Sequence, residues 1–478
     1  MSSEMRERCA VGGVLLSAEE ANPASTHLYE VLFAMQHRGA EASGMVTKYP
    51  DGALEEHREV GMVIDVYDTE SMSQLVGNLA VGHNRYSTSG RKDRHHQPVI
   101  DESLGFALAH NGNIPDTSAM DGFLEQHHLL HGHLNDSEKI GFTIAQFMRM
   151  GQDLPSAIES AYPLLGGTFS CVGIYDNLLF AFRDPKGIRP LALGRFNGSW
   201  VVSSETCGLD ILNARYEREV NPGELVVISD DGKVNSKQIA EPDHKLDIFE
   251  FVYFARHDSK LYGQRVNEVR RRFGEELAVA HGSLHDNDQN VLVVPVPDTA
   301  VPEANGYAKL LGLEKEDAII KNRYIGRTFM QPTQGARTRQ LRRKHNIIPE
   351  PVKGRDIIII DDSIVRLNTI PNLVSRMRTI GAKTVSVLIG SPPIRFPDYY
   401  GIDTPSQNEL AAANMTVEQM RRAIGCEYLG FLSLDGLTRA TGKPSDMFNL
   451  SCFTGEYPID IGLHRDDIST PASMEYVS

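Results

Sequence analysis

Cysteine is scarce and scattered: the 478 residues hold five (Cys9, Cys171, Cys207, Cys426, Cys452), an odd number with no C-x-x-C pair. That spacing argues against a disulfide framework, a zinc site or a cysteine-ligated cluster, and leaves at least one thiol available for chemistry. Long apolar runs are missing too. None approaches the roughly 18 residues of a membrane span, and the charged start MSSEMRER lacks the apolar centre of a signal peptide, so a cytoplasmic chain with no membrane partner is expected. Positive charge is outnumbered, 48 Lys+Arg against 63 Asp+Glu for a net −15. The whole-molecule field therefore opposes phosphate backbones, no nucleic-acid partner is expected, and any phosphate must be met by local groups. What is present is ordinary for a globular chain, 41% hydrophobic and 23% charged residues, in a length too great for one compact core.

From Ala10 to about Ile239, short apolar runs alternate with Gly, Asn and Asp: AVGGVLL, LAVGHNRY, GFALAHNGN, TFSCVGIY, LLFAFRDP, WVVSSET and ELVVISDDG. They read as strands of a layered, antiparallel architecture. Two helical patterns interrupt them, THLYEVLFAMQHRG ending at Gly39 and SEKIGFTIAQFMRMG opening after Asn135 and Asp136. The polar stretch IAEPDHKLD is the expected connection. Beyond it, NVLVVPVPDTA, DAIIKNRY, RDIIIIDDS and TVSVLIGS are nearly continuous apolar runs, as in strands buried on both faces. Helical patterns such as PNLVSRMRTIGA lie between them, which implies an open parallel sheet flanked by helices. The expected organisation is a leader, 1–8, an N-terminal domain, 9–240, a second domain with C-terminal helices, 248–464, and a flexible tail, 465–478.

Cys9 opens a strand-like run eight residues from the start. Removal of those eight residues would make its own nitrogen a free amine, with a reference pKa of about 7.7 to 8.0, able to take the thiol proton. An isolated cysteine is more often a small buried hydrophobe. Here, however, polar groups cluster at the ends of neighbouring apolar runs: Gln36-His37-Arg38-Gly39, Gly82-His83-Asn84-Arg85-Tyr86-Ser87-Thr88, His110-Asn111-Gly112-Asn113 and Asn135-Asp136-Ser137-Glu138. Loops of one scaffold can converge in this way.

With QHRG, GHNRYSTSG, AHNGN, DPKGIRPLALG and SSETC in this order, the first half resembles the N-terminal-nucleophile (Ntn) glutamine amidotransferases, which implies a layered αββα glutaminase domain. The resemblance implies that Cys9 attacks the glutamine carboxamide and that the Asn111 side chain and the Gly112 N–H hold the oxyanion. It also implies that Arg85, Thr88 and Asp136 bind the amino acid, Arg85 gripping the carboxylate and Asp136 the ammonium. Arg38 reads equally as a salt bridge bracing two domains. The family usually has Gly after the nucleophile, and this chain has Ala10.

In the second half, Ile357 to Ile360 lead into Asp361-Asp362-Ser363-Ile364-Val365-Arg366, a strand ending in two acids. Ligands of open parallel sheets lie outside the carboxyl ends of strands, although adjacent acids also occur in plain turns. The segment resembles the signature of type I phosphoribosyltransferases, and the pairing of the two halves, from Cys9 to about Ile461, resembles the glutamine phosphoribosylpyrophosphate amidotransferase family. This implies that Lys321, Arg327, Asp361, Asp362, Ser363 and Thr369 bind phosphoribosyl pyrophosphate. One Mg²⁺ per subunit would sit at Thr299, Asp361 and Asp362. Arg337, Arg342, Arg343 and Lys344 would continue a loop over the pyrophosphate. Where the family reads Arg-Gly-Thr-Thr, this chain reads Arg366-Leu367-Asn368-Thr369, and Leu gives up the close approach and positive φ that Gly permits. His257 stands where the family usually has Pro.

Some relatives carry an iron–sulfur cluster on four cysteines of the second half, where this chain has only Cys426 and Cys452, so no cluster is expected. His127, His128, His131 and His133 lack an obvious completing ligand and read as non-metal. The expected activity is transfer of glutamine-derived ammonia to C1 of phosphoribosyl pyrophosphate, giving phosphoribosylamine, pyrophosphate and glutamate, the first step of purine synthesis. A homo-oligomer (dimer or tetramer) inhibited by purine nucleotides is implied. The departures at Ala10, His257 and Leu367 keep two alternatives open: a paralogue with another phosphosugar acceptor, and a weakly catalytic nucleotide-binding regulator.

Overall fold

A computed structural model describes residues 6–7, 9–49, 52–85, 97–129, 134–285, 290–322, 345–404, 406–469 and 471. Thr88, Arg327, Arg337, Arg342, Arg343, Lys344, His131 and His133 lie outside the described residues.

The first half stacks two antiparallel sheets. One has seven strands in the order Arg215–Glu219, Ala192–Phe196, Ser199–Ser203, Ala10–Leu15, Leu79–Arg85, Ala42–Lys48, Leu54–Val60. The other has six, Val234–Gln238, Glu224–Ser229, Leu178–Arg183, Thr168–Tyr175, Phe106–Asn113, Val99–Asp101. All seven expected strands are present. Their alternation sorts side chains into three apolar layers. Val11, Val81, Ala109 and Val172 fill the space between the sheets. Val14 and Ala80, on the opposite face, pack with Leu28, Val31 and Leu32 of the helix Ala24–Ala34. Leu108 and Phe180 meet Ile140 and Ile144 of the helix Asp136–Arg149. Helix, sheet, sheet, helix is the layering the sequence implies.

The second half is built on an all-parallel sheet in the order Glu314–Lys315, Val291–Pro295, Asp356–Asp361, Thr384–Ile389, Tyr428–Phe431. Both faces are covered. Val291, Val293, Ile358 and Ile360 point into one core with the helices Val266–His281 and Val301–Leu311, and Leu292, Val294, Ile357 and Ile359 point into another with the helix Thr369–Ile380. That double burial explains the uninterrupted apolar runs. DAIIKNRY is the exception. Its strand, Ile319–Lys321, pairs antiparallel with His345–Ile347 in a separate two-stranded ribbon. Ile319 is buried but Ile320 is 45% exposed, so the run is one-sided and has no place inside the parallel sheet.

Three minor pairings hold distant parts of the chain together. Arg6–Glu7 pairs with Ile402–Asp403 in the second half. Leu246–Asp247 pairs with Phe448–Asn449. Carbonyl oxygens of Tyr399, Tyr400 and Gly401 accept hydrogen bonds from Asn113 Nδ2 (2.7 Å), Thr168 Oγ1 (3.0 Å) and Arg189 Nη2 (3.0 Å) of the first half.

Candidate active sites

The first site lies at one edge of the two-sheet sandwich. In the antiparallel register, Ala10 faces Asn84, so Cys9 comes just before the first paired residue of one strand and Arg85 just after the last paired residue of its neighbour. Cys9 is partly exposed and has φ +76°, which turns the chain sharply out of the sheet. Ser204 of the SSETC motif clamps the strand start. Its hydroxyl accepts from Val11 N (2.9 Å) and its own N–H donates to Val11 O (3.0 Å). Gly39 of QHRG is required by close approach, because a Cβ there would stand 2.6 Å from the Asn84 carbonyl carbon.

Across the sandwich, Asn111 and Gly112 end the strand Phe106–Asn113 and pair with Ser170 and Phe169. They lie on the Cys9 side. Ser170 Oγ donates to Arg189 O (2.9 Å), and Arg189 reaches the Arg38, Glu205 and Glu250 cluster next to Ser204. Asn111 is wholly buried, and among the described residues neither its Oδ1 nor its Nδ2 has a hydrogen-bond partner. A buried amide left so costs about 1–3 kcal/mol, which suits a donor reserved for a ligand. Gly112 has φ +155°, and a Cβ there would lie 2.0 Å from the Thr168 carbonyl oxygen, so no other residue fits.

Asp136 is the first residue of the helix Asp136–Arg149, behind the Asn135 capping box. Its carboxylate accepts from Ser137 N (2.9 Å) and Ile114 N (3.4 Å), which hangs it beside the Asn111-Gly112 turn. Cys9 thus stands just before one strand of the first sheet, whose neighbour ends at Arg85, while Asn111 and Gly112 end a strand of the second sheet and Asp136 begins a helix beside them. Sequence reasoning gave no part to Gln97, which lies in none of the quoted motifs, or to His110 and Ser137, which were quoted without a role.

Behind this edge is a buried ionic bridge. Arg38 pairs with Glu205 and makes two bonds to Glu250, at 3.1 and 2.7 Å, while Arg189 Nη1 reaches Glu250 Oε1 at 3.2 Å. All four side chains are inaccessible to solvent. Glu205 also accepts from Ser259 Oγ (2.6 Å) and Arg256 N (3.0 Å). Burial alone would raise the Glu205 pKa, but His37 and Arg38 together hold it well below the usual carboxylate range. The bracing reading of Arg38 is therefore met. Arg38→Met is expected to lower unfolding free energy by about 3–5 kcal/mol, because it strands acids without their partner. Chemical denaturation midpoints at constant m-value measure this.

The second site sits at the carboxyl end of the central parallel strand, Asp356–Asp361. Asp361 and Asp362 are buried, and the neighbouring strand end supplies Thr299, whose Oγ1 donates to Asp362 Oδ1 at 2.6 Å. Ser363 Oγ donates to Asp362 Oδ2 at 2.7 Å. Lys321 Nζ, on the ribbon, bonds Asp298 Oδ2 at 2.9 Å, one residue from Thr299. The loop then enters the helix Thr369–Ile380 through Asn368, whose side chain makes no capping bond. Leu367 is not among the positive-φ residues and packs its side chain against the Leu292, Ile357 and Leu373 core. The loss of glycine at this position thus introduces no backbone strain.

Behind the diacid lies Glu303, fully buried, with neither carboxylate oxygen hydrogen-bonded among the described residues. Burial, and then Asp362, push its pKa well above the carboxylate range, with Arg270 opposing. Burial and the same Arg270 bring His257 down to about 4, so it is neutral at the joint. His127 packs on Phe123 (4.7 Å between ring centroids) and faces Gln146 Nε2 at 3.3 Å. Among the described residues, no group of three or more His, Cys, Asp or Glu forms a ready metal cage, and no helix is long and apolar enough to cross a membrane. Thr299, Asp361 and Asp362 do present hard oxygen donors together, which fits a Mg²⁺ ion that takes its remaining ligands from substrate phosphates and water.

Residues 83–210 match the family model of the glutamine amidotransferase domain. The chain is 42% identical over 463 residues to the amidophosphoribosyltransferase of Synechococcus elongatus, covering 95% of this chain and 92% of that one. It is 38% identical over 470 residues to the enzyme of the same name from Mycobacterium tuberculosis, covering 95% and 87%. The solved glutamine phosphoribosylpyrophosphate amidotransferase of B. subtilis, complexed with ADP and GMP, superposes with a TM-score of 0.86 at 34% identity over 97% of this chain and 99% of that one. Sequence, architecture and the two strand-end sites agree, and the chain belongs to the amidophosphoribosyltransferase family.

Proposed function

We propose that the chain takes ammonia from glutamine at Cys9 and uses it to displace pyrophosphate from C1 of phosphoribosyl pyrophosphate, giving phosphoribosylamine and glutamate in the opening step of purine synthesis. The observation that carries this reading is the Asn111-Gly112 strand end, whose buried Asn111 amide has no hydrogen-bond partner among the described residues, set at the same edge as Cys9.

In the first site, removal of residues 1–8 frees the Cys9 amine, which takes the thiol proton as the sulfur attacks the carboxamide carbon. Asn111 Nδ2–H and Gly112 N–H receive the oxyanion. Loss of one such donor costs about 2.7–4 kcal/mol of barrier elsewhere. Arg85 and Asp136, with Thr88, select an α-amino acid by its two charges. The amine returns a proton to the departing nitrogen, and water releases glutamate from the thioester. In the second site, Asp361 and Asp362 orient the ribose hydroxyls, Ser363 and Thr369 cradle the 5′-phosphate at the helix start, and Lys321 and Arg327 meet the pyrophosphate. Thr299, Asp361 and Asp362 would hold a Mg²⁺ ion, which would supply neutralising charge to the departing pyrophosphate. Residues 9–240 serve as the glutamine half and 248–464 as the acceptor half, in a cytoplasmic homo-oligomer under purine-nucleotide inhibition.

Purified chain given glutamine, phosphoribosyl pyrophosphate and Mg²⁺ is expected to release glutamate and pyrophosphate in equal amounts, with an intact mass lacking residues 1–8. Glutamate without pyrophosphate would assign a different acceptor, and no glutamate under any ligand would reduce the chain to a regulator.

A further inference from the structure

The buried ring of His110 is used by none of these steps, yet it lies between Thr168, Ser137 and Gly112 on the glutamine site's far wall. Its Nε2 lies 3.1 Å from the Thr168 carbonyl oxygen, and its Nδ1 lies 3.1 Å from Ser137 Oγ. Its own N–H donates to Gln97 Oε1 (2.6 Å), while Gln97 Nε2 donates to His110 O (3.2 Å) and to Ser137 Oγ (2.9 Å). His110 is 2% exposed and Ser137 is 3% exposed, so the network is shielded from water.

A neutral ring satisfies these contacts. A carbonyl oxygen only accepts, so Nε2 carries the ring hydrogen. Nδ1 then accepts, and the Ser137 hydroxyl donates to it while its oxygen takes the Gln97 hydrogen. The ring, Ser137 and Gln97 are each bonded in this orientation, the Ser137 hydroxyl also lies 3.4 Å from Asp136 Oδ1, and such networks rigidify what they hold.

What they hold are the two ligand-binding ends. The ring lies directly beneath Gly112, where a Cβ would stand 2.7 Å from Nε2. Ser137 is the residue after Asp136 and gives that carboxylate its backbone hydrogen bond at 2.9 Å. The ring therefore spans from the oxyanion turn to the ammonium-binding helix start, through side chains rather than through the sheet ladder.

We propose that His110 is a positioning residue that fixes the Asn111-Gly112 turn relative to Asp136, so that a glutamine held by its ammonium group presents its carboxamide oxygen to the two donors. The proposal rests on the glutamine-site reading above. A misplacement of about 1 Å at a reacting group can cost about 100-fold in rate. His110→Ala is accordingly expected to lower the glutamine-dependent kcat about 10- to 100-fold. Its glutamine KM should stay within about threefold, because Arg85 and Asp136 still hold the substrate's charges in the ground state.

The test compares His110→Ala, His110→Gln, Ser137→Ala and the His110→Ala/Ser137→Ala double variant, each with glutamine and with ammonium salt as nitrogen source. His110→Gln places an amide N–H near the Nε2 position and is expected to recover part of the lost kcat. Ser137→Ala is expected to cost less than His110→Ala, and the double variant little more than His110→Ala alone, as residues in one network behave. The proposal is overturned by an unchanged kcat, by a loss confined to KM, by independent multiplication of the two single effects, or by parallel loss with glutamine and ammonium. Cys9→Ala run beside these separates the two failures. If it still uses glutamine, the site reading itself is wrong; if it does not and His110→Ala is unimpaired, only the positioning role fails.

Discussion

Cys9→Ala is expected to abolish phosphoribosylamine synthesis from glutamine while leaving synthesis from ammonium salt near the parent rate. The substitution removes the nucleophilic sulfur and leaves the residue-9 amine with no thiol proton to take, so the glutamine reaction should fall about 10⁴- to 10⁶-fold, the scale seen when catalytic nucleophiles are deleted elsewhere. The acceptor half is insulated from the change. Cys9 lies outside the sheet, just before the first paired residue Ala10, and the buried bridge to the second half runs through Arg38, Glu205, Glu250 and Arg189. The measurement is initial rate with each nitrogen source at saturating phosphoribosyl pyrophosphate. Parallel loss of both activities would show that the two halves do not divide the labour as proposed.

Asp362→Asn should give the complementary result, a fall with both nitrogen sources. The wild-type carboxylate accepts from two hydroxyls at once, Thr299 on Oδ1 and Ser363 on Oδ2. An amide can accept at only one of those positions, so one hydroxyl loses its acceptor and the strand-end geometry shifts along with the lost charge. For a group that both orients substrate and faces metal, a drop of about 10²- to 10³-fold in kcat/KM for phosphoribosyl pyrophosphate is expected. Titrating Mg²⁺ in the same assay should show a weaker apparent metal affinity. A variant that kept its metal dependence and lost only nitrogen transfer would place the diacid outside the acceptor site.

Much of this was legible in the residue order because burial imposes periodicity. AVGGVLL and LAVGHNRY could be read as strands since each turns one face to the inter-sheet core, and RDIIIIDDS as a central parallel strand since Ile357 to Ile360 are buried on both sides. DAIIKNRY misled because three apolar residues cannot tell a two-sided strand from a ribbon with Ile320 in water. Leu367 looked like an injury to a phosphate loop, and only the backbone reveals that the position keeps φ negative and uses the side chain as core. Glu303 and His110 were invisible for a related reason. Their importance lies in what surrounds them, a carboxyl beside Asp362 and a ring under Gly112, and those neighbours are remote in the chain.

The Arg38 and Arg189 bridge to Glu250 bears on why the two halves share a polypeptide. Arg38 and Arg189 belong to the first, Glu250 to the second, and none sees solvent. Fission of the gene at residue 245 would leave one product with Arg38 held by Glu205 alone and Arg189 parted from Glu250, and the other with a stranded anion, each in a pocket shaped to exclude water. Such halves could meet only by desolvating those charges anew at every encounter, a toll that covalent fusion levies once, during folding.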